Sequence, residues 1–100
     1  DLFAHIAKNP GRFAGTPWRG RGRVLEIHEG PGGTAARVAD GPQDVLYVRL
    51  LYATDVVQYD AVDLAGYLAG SYSYTSQAGW SISLPALAAK VMVGRGKLRR

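Results

Sequence analysis

One hundred residues and 10.7 kDa make one domain, with a single small core and no room for two lobes around a cleft. Apolar residues at 47% and charged residues at 20% exclude a disordered or collagen-like chain. The absence of cysteine excludes disulfides, thiolate metal sites and a cysteine nucleophile, and no apolar run is long enough to span a membrane as a helix.

The net charge of +4 is unevenly placed. Residues 1–37 hold six Lys or Arg against three acids, residues 38–93 hold Arg49 and Lys90 against five Asp, and residues 94–100 hold four cations and no acid. The body is therefore neutral and the basic pI belongs to the tail, so charge alone is weak support for nucleic-acid binding. The division expected is a domain over 1–93 and a basic tail over 94–100. The chain opens at Asp1 with no signal-peptide pattern, as a mature protein or an excerpt does.

Leu2, Phe3, Ile6 and Ala7 recur at helical spacing. Asp1 is a plausible N-cap, and Asn9-Pro10-Gly11 cannot continue the helix; His5 falls off the apolar face. From Trp18 the period becomes two. Trp18, Gly20, Gly22 and Val24 share one face of a first strand, and Arg19, Arg21 and Arg23 share the other. Gly30-Pro31-Gly32-Gly33 is a turn. It lacks the lysine and hydroxyl of a phosphate-binding loop and leads into a strand, so a plain hairpin is the better reading. Thr34 to Ala39 is the second strand, with Arg37 outward. Asp40-Gly41-Pro42 turns into a third strand over Asp44–Tyr52, with Leu46, Val48 and Leu50 inward and Val45, Tyr47 and Arg49 outward.

Thr54 to Asp60 is irregular. The fourth strand is the longest alternation: Val62, Leu64, Gly66, Leu68, Gly70, Tyr72 and Tyr74 on one face, Ala61 to Ser73 on the other. A polar turn at Thr75–Gly79 leads to a fifth strand from Trp80 to about Val93, where Pro85 marks an edge or a bulge. Expected core residues are Leu46, Val48, Leu50, Val62, Leu64, Leu68, Ile82, Leu84 and Leu87. One short N-terminal helix and five strands, two of them long and glycine-kinked, suit a mainly β, five-stranded OB-type barrel.

Those residues also resemble a family. Ile6-Ala7-Lys8-Asn9-Pro10-Gly11-Arg12-Phe13-Ala14-Gly15 is similar to the opening of small bacterial OB-fold domains of the tRNA-anticodon-like type, exported or lipoprotein-linked. Val45-Leu46-Tyr47-Val48 resembles their third strand. The Val62, Leu64, Gly66, Leu68, Gly70 alternation with Tyr72-Ser73-Tyr74-Thr75-Ser76 resembles their fourth, and Ile82-x-Leu84-Pro85-Ala86-Leu87 their ending. Trp80 stands where glycine is common and Gly20 where an apolar residue is common. The resemblance implies an OB barrel that is non-enzymatic and extracytoplasmic, and it supplies no catalytic residues.

No nucleophile elbow, metal-binding helix motif or paired-acid motif is present, and His28-Glu29 is a lone pair with no second ligand at metal spacing. Neither an enzyme nor a cofactor or metal site is expected. Two groups of residues are candidates for ligand binding. Tyr72, Tyr74 and Trp80 bracket the loop between strands four and five, which flanks the usual ligand groove of an OB domain; they either stack bases or sugars or, for the tyrosines, plug the barrel end. Arg19, Arg21 and Arg23 form a comb with a spacing of about 7 Å along the strand, extended by Arg37, Tyr47 and Arg49. That comb either follows a phosphate backbone or is a solvated, edge-protecting face. The first expectation for function is an extracytoplasmic (periplasmic, cell-surface or secreted) module that docks a protein partner or assembles with copies of itself. The alternative is a single-stranded nucleic-acid binder.

Overall fold

Alternating side chains make the strands, and three irregularities decide which way they face. The computed structural model describes residues 2–41 and 44–95. The Asp1 cap, the Pro42 turn position, residues 96–100 of the tail and the side chains of Leu2, Phe3 and Ala7 lie outside the described residues. Helix α1 spans Leu2–Lys8, and a 3-10 turn follows at Pro10–Phe13, since proline fits the first position of a helical turn but not its interior. The strands are β1 (Pro17–Gly30), β2 (Gly33–Ala39), β3 (Val45–Leu50), β4 (Ala61–Thr75) and β5 (Ser81–Gly94). They close into a barrel in the order β1-β2-β3-β5-β4, antiparallel except for the β3–β5 pair. The chain is thus mainly β, with five strands in a ring and one short helix.

Strand β5 runs through Gly94, which pairs with Val62, and the Arg95 N–H donates to the Ala61 carbonyl at 2.7 Å. The sheet therefore extends past the expected boundary at residue 93. Strand β3 ends at Leu50 instead of Tyr52, and Leu51 and Tyr52 are exposed.

The core is formed by Val24, Val38, Leu46, Val48, Leu50, Val62, Leu64, Leu68, Leu87 and Met92, joined by Ile6 from α1 and Val56 from the β3–β4 linker. Trp18 packs partly buried against it. A Cβ at Gly20 would fall on the Trp18 indole, so the missing side chain there is what lets the ring lie down. Gly33, at φ 117°, closes the β1–β2 hairpin where a Cβ would strike the Leu50 carbonyl oxygen.

Three slips in register change side-chain parity. One lies in β5, where the pairing steps from Ala65↔Val91 to Gly66↔Ala89 and the extra Lys90 leaves Val91 and Val93 outward and Met92 inward. In β1 the pairing steps from Val24↔Val38 to Glu26↔Arg37, leaving Leu25 as an extra residue. Below the step Arg19, Arg21 and Arg23 point out; beyond it Glu26 and His28 do. In β4 the pairing steps from Leu68↔Leu87 to Ser71↔Pro85: three residues of β4 against two of β5, with Gly70 at φ 77°. An extra residue swaps the faces of everything after it. Tyr72 and Tyr74, opposite Leu84 and Ile82, are thereby carried to the outside of the barrel. This corrects three expectations: the tyrosines do not plug the barrel end, and Ile82 and Leu84 are only half-buried on an arm beyond the core. Pro85 sits at this bulge, where its missing N–H breaks no regular ladder.

Candidate functional site

The arm formed by Ser71–Thr75 and Ser81–Pro85 has two unlike faces. Ser73 and Ser83 are exposed and share a hydrogen bond at 2.8 Å, while Tyr72, Tyr74 and Ile82 face the outer surface of β1, β2 and β3. Between them lies a cleft of about 700 Å³, with Glu26, His28, Arg37, Tyr47, Tyr72 and Tyr74 in its lining. The size is that of a ligand pocket. Ser76, Gln77 and Ile82 of the arm complete its outer side.

Pairing explains the convergence. Glu26 stands opposite Arg37 on β2, and Arg37 opposite Tyr47 on β3. Tyr72 then descends onto Tyr47 from the arm, the rings stacking with centroids 3.8 Å apart and planes 7° from parallel. Tyr74 lies beside Tyr72 at 6.1 Å and 29°. Tyr72 is 40% exposed, so one ring face is covered by Tyr47 while part of the residue remains open to the cleft.

The polar side of the cleft is a chain of contacts through Glu26. Its Oε1 is 3.2 Å from His28 Nε2, and its Oε2 accepts from an Arg37 guanidinium nitrogen at 3.3 Å. The other terminal nitrogen of Arg37 donates to the Tyr74 hydroxyl at 3.4 Å. The hydrogen bond from His28 first, and then the charge and hydrogen bond of Arg37, hold the Glu26 carboxyl below the usual carboxylate range, against an opposing push from partial burial. Arg37 is thus held in place, with its charge matched by a carboxylate.

The structure brings together four of the expected residues, Arg37, Tyr47, Tyr72 and Tyr74. Arg49 is exposed two residues along β3 and lies outside the cleft lining. Trp80 is exposed at the far turn of the arm, where its backbone N–H donates to Ser76 Oγ at 3.1 Å. Arg19, Arg21 and Arg23 are outside the cleft lining: all three stand opposite residues of β4, and Arg23 also stands opposite Ala39 of β2. Glu26 and His28 were missed. The signal was the Val24-Leu25 apolar doublet, which marks the slip that turns both outward; the partner of His28 is Glu26, not Glu29. Among the described residues no cluster of three metal-ligating side chains occurs.

The chain matches no protein-family model and, in sequence, no curated protein. Among solved structures it is similar to the crystal structure of a small single-stranded DNA-binding protein from Streptomyces coelicolor, with a TM-score of 0.53 and 14% identity. The match covers 86% of this chain and 98% of that one. At that identity the likeness is one of fold, and it gives no support to the tRNA-anticodon-like, exported type. What remains of the family resemblance is its architecture: the chain has an OB-type fold.

Proposed function

We propose that the protein is a non-enzymatic module that binds single-stranded nucleic acid in the cleft between the β4–β5 arm and the outer face of β1–β3. The observation that carries this reading is the Tyr47–Tyr72 stack, with Tyr72 40% exposed and flanked by Arg37 and Tyr74. An exposed aromatic face beside a fixed guanidinium is what a stacked base and its phosphate require. In OB folds ligands lie across this strand face, beside the loop that the arm forms. A fold neighbour that binds single-stranded DNA adds to this support. Docking of a protein partner or of a second copy in an extracytoplasmic setting rests on the family resemblance, the neutral body and the lack of a catalytic set, and the cleft favours the nucleic-acid reading over it.

The test is fluorescence anisotropy of a labelled oligonucleotide against the full chain and its Tyr72→Ala variant. Stacking is worth about 1–3 kcal/mol per base, so Tyr72→Ala should weaken binding between about fivefold and about 150-fold. Equal affinity in the two proteins, or no binding at low salt, refutes the proposal.

A further inference from the structure

The cleft leaves the arginine comb without a role. Arg19, Arg21 and Arg23 stand opposite Ala65, Asp63 and Ala61 of β4, and Asp63 and Ala65 stand opposite Val93 and Val91 of β5. Three strands therefore present a trough. Arginines form one wall, two alanines most of the floor, and two exposed valines the other wall. Exposed Tyr67, together with Lys90, borders one end. Two adjoining clefts of about 450 and 350 Å³ share Arg19 and Ala65 along it.

The charge in this trough is largely unspent. Among the described residues, Arg19 and Arg21 have neither a hydrogen bond nor an ion pair. Arg23 donates to the Tyr59 carbonyl oxygen at 2.8 Å. Asp63, the carboxylate in the cleft lining, is 3.6 Å from Arg95. Edge protection does not explain the comb either, because β1 is paired with β2 on one side and with β4 on the other in a closed barrel. A sheet without an edge has no need of a charged guard on this strand.

We infer that this trough is a second binding track for the phosphodiester backbone of single-stranded nucleic acid, with Arg19, Arg21 and Arg23 on successive phosphates and Tyr67 as a stacking platform. The inference rests on the function proposed above and extends it to a second face. Alternate residues along a strand are about 7 Å apart, a spacing close to that of successive phosphates in an extended chain. Aromatic and cationic groups side by side are the two components of sequence-tolerant strand binding. Both tracks share β1, on either side of its bulge, so a long strand has one element to follow from one face to the other.

The experiment compares the full chain with Arg19→Ala/Arg21→Ala and with Tyr72→Ala, using thymidine oligonucleotides of about six and about twenty-five nucleotides, the first near the lower end of OB-fold site sizes and the second beyond their upper end. The two arginines are exposed and unpaired, so the double variant should fold as the parent does. It is expected to bind the short oligonucleotide like the parent. For the long one it should lose affinity, and its salt dependence should flatten by about 1.4, at about 0.7 per phosphate contact. An unchanged slope with the long oligonucleotide overturns the second track; if Tyr72→Ala still weakens short-oligonucleotide binding, the cleft survives alone. If instead the double variant abolishes binding and Tyr72→Ala does nothing, the cleft reading falls and the trough stands as the primary site. Loss of a concentration-dependent dimer in the double variant, with DNA binding intact, makes the trough a contact between copies and overturns the inference.

Discussion

Leu64→Ala tests whether the barrel interior is assigned correctly. Leu64 is 2% exposed and sits mid-β4, paired with Gly20 on β1 and with Met92 on β5. Collapse around the truncated residue is restricted: Gly20 brings no side chain to fill the gap, and the space over it already holds the Trp18 indole. Buried Leu→Ala changes cost about 2–5 kcal/mol, more where the site cannot relax, and a closed ring of hydrogen-bonded strands relaxes poorly. The expectation is therefore the upper half of that range, about 3–5 kcal/mol. For a domain of this length each kcal/mol moves the melting temperature by about 4–8 °C, so the drop should exceed about 12 °C by circular dichroism or calorimetry. Leu51→Ala is the control, since Leu51 is 85% exposed and should change stability by less than about 0.5 kcal/mol. A Leu64→Ala loss as small as that of the control would show that the β4 register is wrong.

Two further predictions concern the sheet and the cleft. At Gly66 an added Cβ would strike the Ala88 carbonyl oxygen and come within 2.7 Å of Ala89 Cα. Gly66→Ala should cost about 1–3 kcal/mol by overpacking, read as a lower denaturation midpoint in urea, and an unchanged midpoint refutes that contact. The folded-state pKa of Glu26 lies below its ordinary value of 4.5, so its ionised form stabilises the fold above that value, and the contribution fades as pH falls through the depressed folded value. With the side chain 46% exposed, the effect is under about 1 kcal/mol. The stability gap between the parent and Glu26→Gln should shrink on acidification, and a gap that widens contradicts the sign.

Period-two alternation gave the number of strands, their order and their turns, because each strand buries one face in a shared core. It also led to the inward Trp18 over Gly20 and to the outward Arg37 and Tyr47. It failed where an extra residue enters a ladder. Ala69-Gly70 is silent to hydropathy, since two small residues fit either face, so Tyr72 and Tyr74 were given the wrong side; Ile82 and Leu84 stand at the opposite parity to Leu87 on β5 and were placed in the core on their apolar character. The β1 slip at Val24-Leu25 was visible as an apolar doublet but not as a pivot. The cleft therefore escaped the sequence as a unit. Glu26 and Tyr72 are far apart in the chain, and they meet only because one bulge turns Glu26 outward and another brings the arm down over β3.

The two faces divide the physics of binding between them. At 3.8 Å the Tyr47 and Tyr72 rings are in contact and leave no slot for a base, so a base would stack on the exposed part of the Tyr72 and Tyr74 pair as on a platform. Arg37 is already matched by Glu26, and a phosphate that engages it displaces a carboxylate instead of adding a new neutralised charge. The cleft should therefore contribute mostly non-electrostatic affinity. Counterion release should come from cations whose side chains have no internal partner, which are Arg19, Arg21 and Lys90 among the described residues of the trough. It follows that Tyr72→Ala lowers affinity by a factor that hardly changes with salt, whereas Arg19→Ala/Arg21→Ala changes the slope of log affinity against log salt. If Tyr72→Ala flattened that slope as much as the arginine pair does, stacking and charge would belong to one surface, and the separation of the two tracks across the β1 bulge would be refuted.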